Sequence, residues 1–448
     1  MKLKTILVGT AVRLVSNLAL VSGALFVGIQ PIGAQPLGAQ PLGAPSLSTQ
    51  PIGTKTAAGL SVPVIPVVEL IALARRDSPL VAQAGAELAG ARAGVQTAGA
   101  LPNPEFEIQV GRSDARRMDG TSGAAPLIGV VQPVEWPALR QARRDLAEQR
   151  VSLVSAQALV VDRLVVASVR KASADWLRLA EEEKAAVEDL ALTEQIRDRI
   201  AVSARAGETA RFDLTRAETE MAIARKVLDT VRLRALQTKV ELRRVVGASL
   251  PDDFQVAARG ALPAPLTLDD YERLRVELDE RNPDLLAAQT DLKRARQEIQ
   301  FERTQVLPRV TLRATHELDP SSALTRVGAQ VSVPLLDQRQ GPIAQAVAAA
   351  TRAQAALDFK KLEIQQGFAS AWLGWQAAQV QLQALDSGIV TRARAILGTA
   401  EAAYRFGERG ILETLDAQRQ FRIVRNELIA ARHAVALARI ELERLSGL

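Results

Sequence analysis

Phe406-Gly407-Glu408, followed by Leu412-Glu413-Thr414 and Asp416-Ala417-Gln418, restates Ala206-Gly207-Glu208, Phe212-Asp213-Leu214 and Arg216-Ala217-Glu218 from about 200 residues earlier. The echo extends outward in both directions. Val246-Gly247 matches Ser446-Gly447, and Asp77-Ser78-Pro79-Leu80 matches Asn282-Pro283-Asp284-Leu285. Leu101-Pro102 matches Leu307-Pro308, and Val131-Gln132-Pro133 matches Val331-Ser332-Val333-Pro334. A repeat this long marks a duplicated structural unit, not a short solenoid module.

Each copy switches period partway along. Glu105, Glu107 and Gln109 alternate with Phe106, Ile108 and Val110, and Leu127 to Glu135 forms a second extended run. In the second copy Val310, Leu312 and Ala314 alternate with Thr311, Arg313 and Thr315, and Val327, Ala329, Val331 and Val333 with Gly328, Gln330 and Ser332. The alternation predicts strands near 104–113, 126–135, 309–317 and 325–334. A run of about ten residues spans ~33 Å, enough to cross an outer membrane when tilted. One apolar and one polar face is the pattern of a barrel wall. Taken singly, each hairpin also reads as a soluble hairpin with one buried face; two at equivalent positions of an exported chain favour the barrel. Four strands cannot close one, since closure around a filled interior takes about eight. Open edges in lipid would leave backbone groups unsatisfied, so several chains must contribute.

Proline is absent from Ala138 to Leu250 and from Ile343 to Leu448. Long helices are therefore expected over 138–205, 210–247, 343–406 and 411–445, with turns at Gly207, Gly407 and Gly410, and a helical segment over 65–99. The first long helix would run about 100 Å at ~1.5 Å per residue. Leu139, Leu146, Leu153, Val160, Ala167 and Ala174 keep a heptad beat, as do Val151, Ala158, Val165, Ala172, Leu179 and Ala186, which indicates coiled-coil packing. The two units span 61–250 and 276–448, joined by a linker over 251–275.

Lys2, Lys4 and Arg13, the apolar run Leu18 to Val27 and the small residue Ala34 read as a signal peptide over 1–34. Asn17 and Gly23 interrupt the run, which disfavours a permanent transmembrane helix. The Pro/Gly-rich stretch 35–60 is expected to be a flexible tail. Aromatics are only 3% and the +6 net charge is spread along helices of mixed sign, which points away from nucleic acid. With no cysteine there is no thiolate metal site, disulfide or lipid-anchored N-terminus. His316 and His433 lie in unrelated contexts, and no phosphate-cradling loop or paired nucleophile is present, so neither a cofactor nor an enzyme activity is expected.

Tyr404-Arg405-Phe406-Gly407-Glu408-Arg409-Gly410-Ile411-Leu412-Glu413-Thr414-Leu415-Asp416-Ala417-Gln418 resembles the second periplasmic helix turn of the TolC family of outer-membrane efflux proteins, and the likeness runs from about residue 65 to the end. Leu101-Pro102-Asn103-Pro104-Glu105 and Gln132-Pro133-Val134-Glu135 resemble its cobalt-zinc-cadmium branch. Trp136-Pro137-Ala138-Leu139-Arg140 stands where that branch usually carries a Gly-Gly-Lys-Arg-like segment.

The resemblance implies a mainly α fold with membrane β: a homotrimer whose twelve-stranded barrel, set in outer-membrane lipid, continues into a periplasmic helical barrel. It would dock a periplasmic adaptor and an inner-membrane pump and conduct drugs or metal cations passively. It also implies that Glu413 and Asp416 narrow the entrance. Three residues apart on a helix, their carboxylates face one way; the plainer reading is that acids near a helix N-terminus complement its dipole. Tyr404 and Arg409 would latch the closed entrance against Asp213, with Phe212 standing where a hydroxyl residue normally meets the arginine. The rival readings are a periplasmic adaptor, which would normally insert one hairpin between compact β-domains, an exit duct for type I protein secretion, and a structural coiled coil.

Overall fold

The computed structural model describes residues 62–114, 121–207, 210–257 and 266–447. The expected signal peptide and flexible tail lie outside the described residues. A two-residue strand β1 (Val64–Ile65) leads into helices α1 (Val67–Asp77) and α2 (Pro79–Gly99), then strands β2 (Glu105–Ser113) and β3 (Gly123–Val134). Helix α3 (Pro137–Arg205) and helix α4 (Arg211–Val246) follow, then the short strand β4 (Gln255–Val256). The second unit repeats the series with α5 (Leu268–Arg281), α6 (Pro283–Thr304), β5 (Arg309–Asp319), β6 (Ser322–Ser332), α7 (Gln340–Ala384), α8 (Val390–Arg405) and α9 (Ile411–Ser446).

The structure corrects the periodicity in four places. The segment expected as one helix over 65–99 is two, because Pro79 holds Ser78 in an extended conformation (φ −66, ψ 129). The helix expected over 343–406 is broken by a π turn at Leu385–Ile389, where Gly388 takes φ 148. The linker expected over 251–275 is structured at both ends: β4 pairs in parallel with β1, and Thr267 and Asp270 form a capping box that starts α5. The last hairpin is tighter than expected, pairing as far as Asp319↔Ser322 across Pro320-Ser321. Asp and Pro there occupy the first two positions of a β-turn, where both are favoured, and Ser321 Oγ donates to Asp319.

The four long strands form one antiparallel sheet in the order β2-β3-β5-β6. Its register sets Phe106 opposite Val130, Ile108 opposite Ile128, Val130 opposite Ala314 and Ala314 opposite Val327. These residues, with Val110, Leu312 and Val331, make one continuous apolar face, much of it exposed. The opposite face carries Glu105, Glu107, Thr311, Arg313, Glu317, Arg326 and Gln330. Arg313 pairs with Glu107 at 3.6 Å and Arg326 with Glu317 at 2.8 Å across the strands.

The helices keep the order of the strands. Beside the sheet α2 packs on α3, α3 on α6 and α6 on α7; farther away α4 packs on α3, α3 on α9, and α9 on α7 and α8. One side of the protomer is therefore edged by β2, α2 and α4, and the other by β6, α7 and α8. Along α3 the buried positions Leu179, Ala186, Thr193 and Ile200, with Asp189 and Ile196, trace the coiled-coil seam. The row from Leu139 to Ala174 is only half-buried, because that stretch shares its surface between two neighbours.

Candidate functional site

Where the sheet gives way to helices, each crossing is tied to its neighbour. Gln132 Nε2 donates to the Pro102 carbonyl at 3.0 Å. Arg143 clamps Glu135 with both terminal nitrogens (2.5 and 2.9 Å) and donates to the Ala98 and Ala100 carbonyls at 2.8 and 3.1 Å. Trp136 Nε1 donates to the Pro308 carbonyl at 2.5 Å, and Arg339 pairs with Glu302 at 2.5 Å. Arg339 itself sits at φ 59, its N–H held by Asp337 at 2.8 Å. Sequence reasoning missed these ties, since most of the acceptors are backbone carbonyls with no side-chain signature.

At the far end the two helix turns bring the sequence-singled residues together. Gly207 (φ 80) and Gly407 (φ 75) close α3 and α8 in the left-handed conformation that favours glycine. Gly410 is an ordinary extended residue before α9 (φ −75) and needs no such freedom. Tyr404 packs on a small core of Ile196, Ile200, Ala217, Ile411 and Leu415. Burial raises its hydroxyl pKa, Arg199 opposes that and Asp213 adds to it. Asp213 is thus close to Tyr404, but among the described residues no hydrogen bond joins the two.

Glu413 and Asp416 are exposed on one face of α9, and each is met by arginine. Arg409 Nη1 donates to Glu413 at 2.5 Å within the same helix turn. In this chain the arginine is therefore engaged inside its own hairpin rather than across to the first. Asp416 lies 3.8 Å from Arg216 and 3.9 Å from Arg419, and Arg419 also bonds Glu220 on α4. Glu413 and Asp416 thus belong to a cluster in which Arg216, Arg409 and Arg419 balance Glu220, Glu413 and Asp416. Spacing showed the acids but not the partners that α4 brings.

Above this cluster, α3 and α9 are cross-tied. Arg425 bonds Asp189 at 2.5 Å and the Ala185 carbonyl at 2.9 Å, with its guanidinium over the Phe421 ring. Burial pushes the Asp189 carboxyl pKa up despite the facing arginines. His433 Nε2 meets Asp175 at 2.7 Å, which holds the Asp175 carboxyl below its usual range. Arg170 pairs with Glu443 at 2.6 Å. His433, which stands in no motif of the sequence, is part of this seam.

The model of one family, described as outer membrane efflux protein, matches residues 70–248 and 274–448, one stretch in each repeat. The chain belongs to the outer membrane efflux protein family. It is 24% identical over 374 residues to the cobalt-zinc-cadmium resistance protein CzcC of Cupriavidus metallidurans, covering 83% of this chain and 86% of that one. It is 25% identical over 269 residues, 57% of each chain, to the outer membrane efflux protein BepC of Brucella suis. Among solved structures, the outer membrane protein VceC of Vibrio cholerae superimposes with a TM-score of 0.69 at 18% identity, covering 85% of this chain and 96% of that one. This outer membrane efflux protein is an exit duct of an efflux system, with strands in the outer membrane and helices in the periplasm. The matches do not favour the adaptor and protein-secretion readings.

Proposed function

We propose that three copies of this efflux protein close side by side into one duct, a twelve-stranded barrel above a helical tunnel, and that the duct discharges divalent metal cations. The observation that carries the assembly is that the two open edges run the full length of the protomer on matching sides. The β2 and β6 edges carry unpaired backbone groups, which lipid does not tolerate. Below them α4 exposes Leu233, Leu236 and Val240, while α7 exposes Phe359, Leu373 and Val380, the last three on a heptad spacing. Unlike edges meeting head to tail close a ring when the rotation permits. The apolar sheet face then meets lipid, and the face carrying Arg313 and Glu107 lines water.

The cargo reading rests on CzcC, which matches this chain over most of its length and is named for cobalt, zinc and cadmium resistance. A periplasmic adaptor and an inner-membrane pump would deliver the cations, the pump supplying the energy. The cluster around Glu413 and Asp416 forms the collar of the tunnel entrance, and the leader over residues 1–34 is removed on export. The test is metal accumulation in cells that express the cognate pump. Deleting the duct should raise cell-associated cobalt, zinc or cadmium several-fold and re-expression should reverse it; unchanged levels of all three would overturn the metal cargo.

A further inference from the structure

Gly207 and Gly247 stand 200 residues before Gly407 and Gly447, and on that spacing Ala185–Asp189 of α3 matches Leu385–Ile389. The two segments behave differently. α3 runs unbroken through its copy, where Arg425 of α9 holds Asp189 and the Ala185 carbonyl. The second repeat breaks there, with Gly388 at φ 148 and ψ −11. A Cβ on Gly388 would lie no nearer than 3.7 Å to anything, so the backbone conformation, not crowding, calls for glycine. On the sheet side of the break α7 is pinned by aromatics. Trp372 and Trp375 lie 5.1 Å apart between ring centres, and Tyr271 of α5 lies 5.0 Å from Trp372 and 5.5 Å from Phe368. On the turn side α8 is thinly held. Of its 16 residues only Ala393 and Leu397 are buried, and Tyr404 leans on the small core at the turns. The side of α8 turned away from that buried pair carries Thr391, Ala395, Thr399 and Ala402, so a neighbouring copy would find no large side chain to grip.

α9 is fastened to the first repeat along its length: Asp416 to Arg216, Arg419 to Glu220, Arg425 to Asp189 and His433 to Asp175. We infer that α8 swings about Gly388 while α9 stays bound to the first repeat, so that the second hairpin opens at its turn instead of moving as one rigid coiled coil. A helix pinned on one side of a π turn and thinly packed on the other has its bend placed at that turn. Asp386, inside the break, faces Arg432 of α9 at 3.6 Å, which keeps the pivot against α9. The moving end carries Tyr404, Phe406 and Arg409, whereas Glu413 and Asp416 remain with α9. The Arg409–Glu413 pair bridges the two, and both side chains are exposed, so water replaces it at little cost. That the swing alters the bore of the entrance rests on the duct reading; the bend itself does not.

The chain has no cysteine, so introduced pairs report distances cleanly. Gln195→Cys on α3 is combined either with Gly398→Cys on α8 or with Gln420→Cys on α9; all three positions are exposed, and a Cβ at 398 meets nothing within 4 Å. The full chain is labelled with nitroxides and diluted with unlabelled protein, and pulsed electron–electron resonance gives each distance distribution. The hinge requires the 195–398 distribution to be several-fold wider than the 195–420 one. Deleting Gly388, which lets an α-helix run through, should narrow it to the 195–420 width. Gly388→Ala, which keeps the chain length but disfavours the positive φ, should narrow it part-way and serves where the deletion does not assemble. Two equally narrow distributions overturn the hinge. Two equally broad ones that ignore both variants also overturn it, since the hairpin then moves as a unit. Either failure leaves the chain count of the particle and the metal accumulation of cells untouched, so the hinge and the duct reading fall separately.

Discussion

A Cβ on Gly247 would lie 2.5 Å from the carbonyl oxygen of Asp77. The contact recurs in the second repeat, where a Cβ on Gly447 would lie 2.6 Å from the carbonyl oxygen of Arg281. Both glycines take positive φ, 116 and 77. The last turn of each return helix is thus pressed against the helix break that opens its own repeat. Gly247→Ala and Gly447→Ala should each destabilise the protein by about 2 kcal/mol or more, since the backbone cannot retreat and the conformation itself is strained. Denaturant midpoints of the two variants check this; a loss confined to one of them would break the equivalence of the repeats.

The same two breaks differ in their polar chemistry. Asn282 caps α6 by accepting from Asp284 N (2.9 Å) and Leu285 N (3.1 Å), and it donates to the Leu445 carbonyl at 2.7 Å. Ser78, its counterpart, is buried and, among the described residues, its hydroxyl has no partner. Asn282→Ala should therefore cost about 2 kcal/mol, and Ser78→Ala within about 0.5 kcal/mol of nothing. Equal losses at the two sites would contradict the assignment.

Arg425 and Asp189 are both nearly enclosed at the α3–α9 seam. Arg425→Ala strands a buried carboxylate and should cost about 3 kcal/mol or more, whereas Arg425→Met with Asp189→Leu should recover most of that loss. A double variant no better than the single one would show that the pair carries more than its own charges.

His433 gives the seam a defined acid response. Its bond lowers the Asp175 pKa in the folded protein, so the associated stability is present above the unfolded value near 3.8 and lost as pH falls through the folded one. His433→Ala should flatten the acid side of the stability–pH curve below that value. An acid limb unchanged from the parent protein would remove His433 as the cause.

At the turn between α8 and α9, Arg409 and Arg419 offset the carboxylates they touch, and the proposed entrance makes that balance measurable. Arg409→Ala with Arg419→Ala should raise cation preference in bilayer recordings, and Glu413→Ala with Asp416→Ala should lower it, with the assembly intact in both. Reversal potentials that do not move in opposite directions would contradict the collar.

Much of the fold was legible because its signals are local. The alternation from Glu105 to Val110 fixes which side chains share a face, and that survives pairing unchanged. The turns at Gly207 and Gly407 were legible for a similar reason, since each closes a helix in a conformation that only glycine takes freely. The break at Gly388 carried no proline, but Asp386-Ser387-Gly388 followed by the β-branched Ile389-Val390-Thr391 is a run of poor helix formers, a signal that the proline-free span masked. Glu413 and Asp416 could be found by spacing, but Arg216 reaches Asp416 from another helix. Likewise Arg143 was invisible as a clamp, because Ala98 and Ala100 receive it through carbonyls that every residue has.

In the proposed duct the open edges β2 and β6 are closed by further copies of the same chain. The mass of the detergent-solubilised, outer-membrane-extracted particle by native mass spectrometry tests it most directly. Three chains per particle is the predicted result; a particle of one or two chains would contradict it.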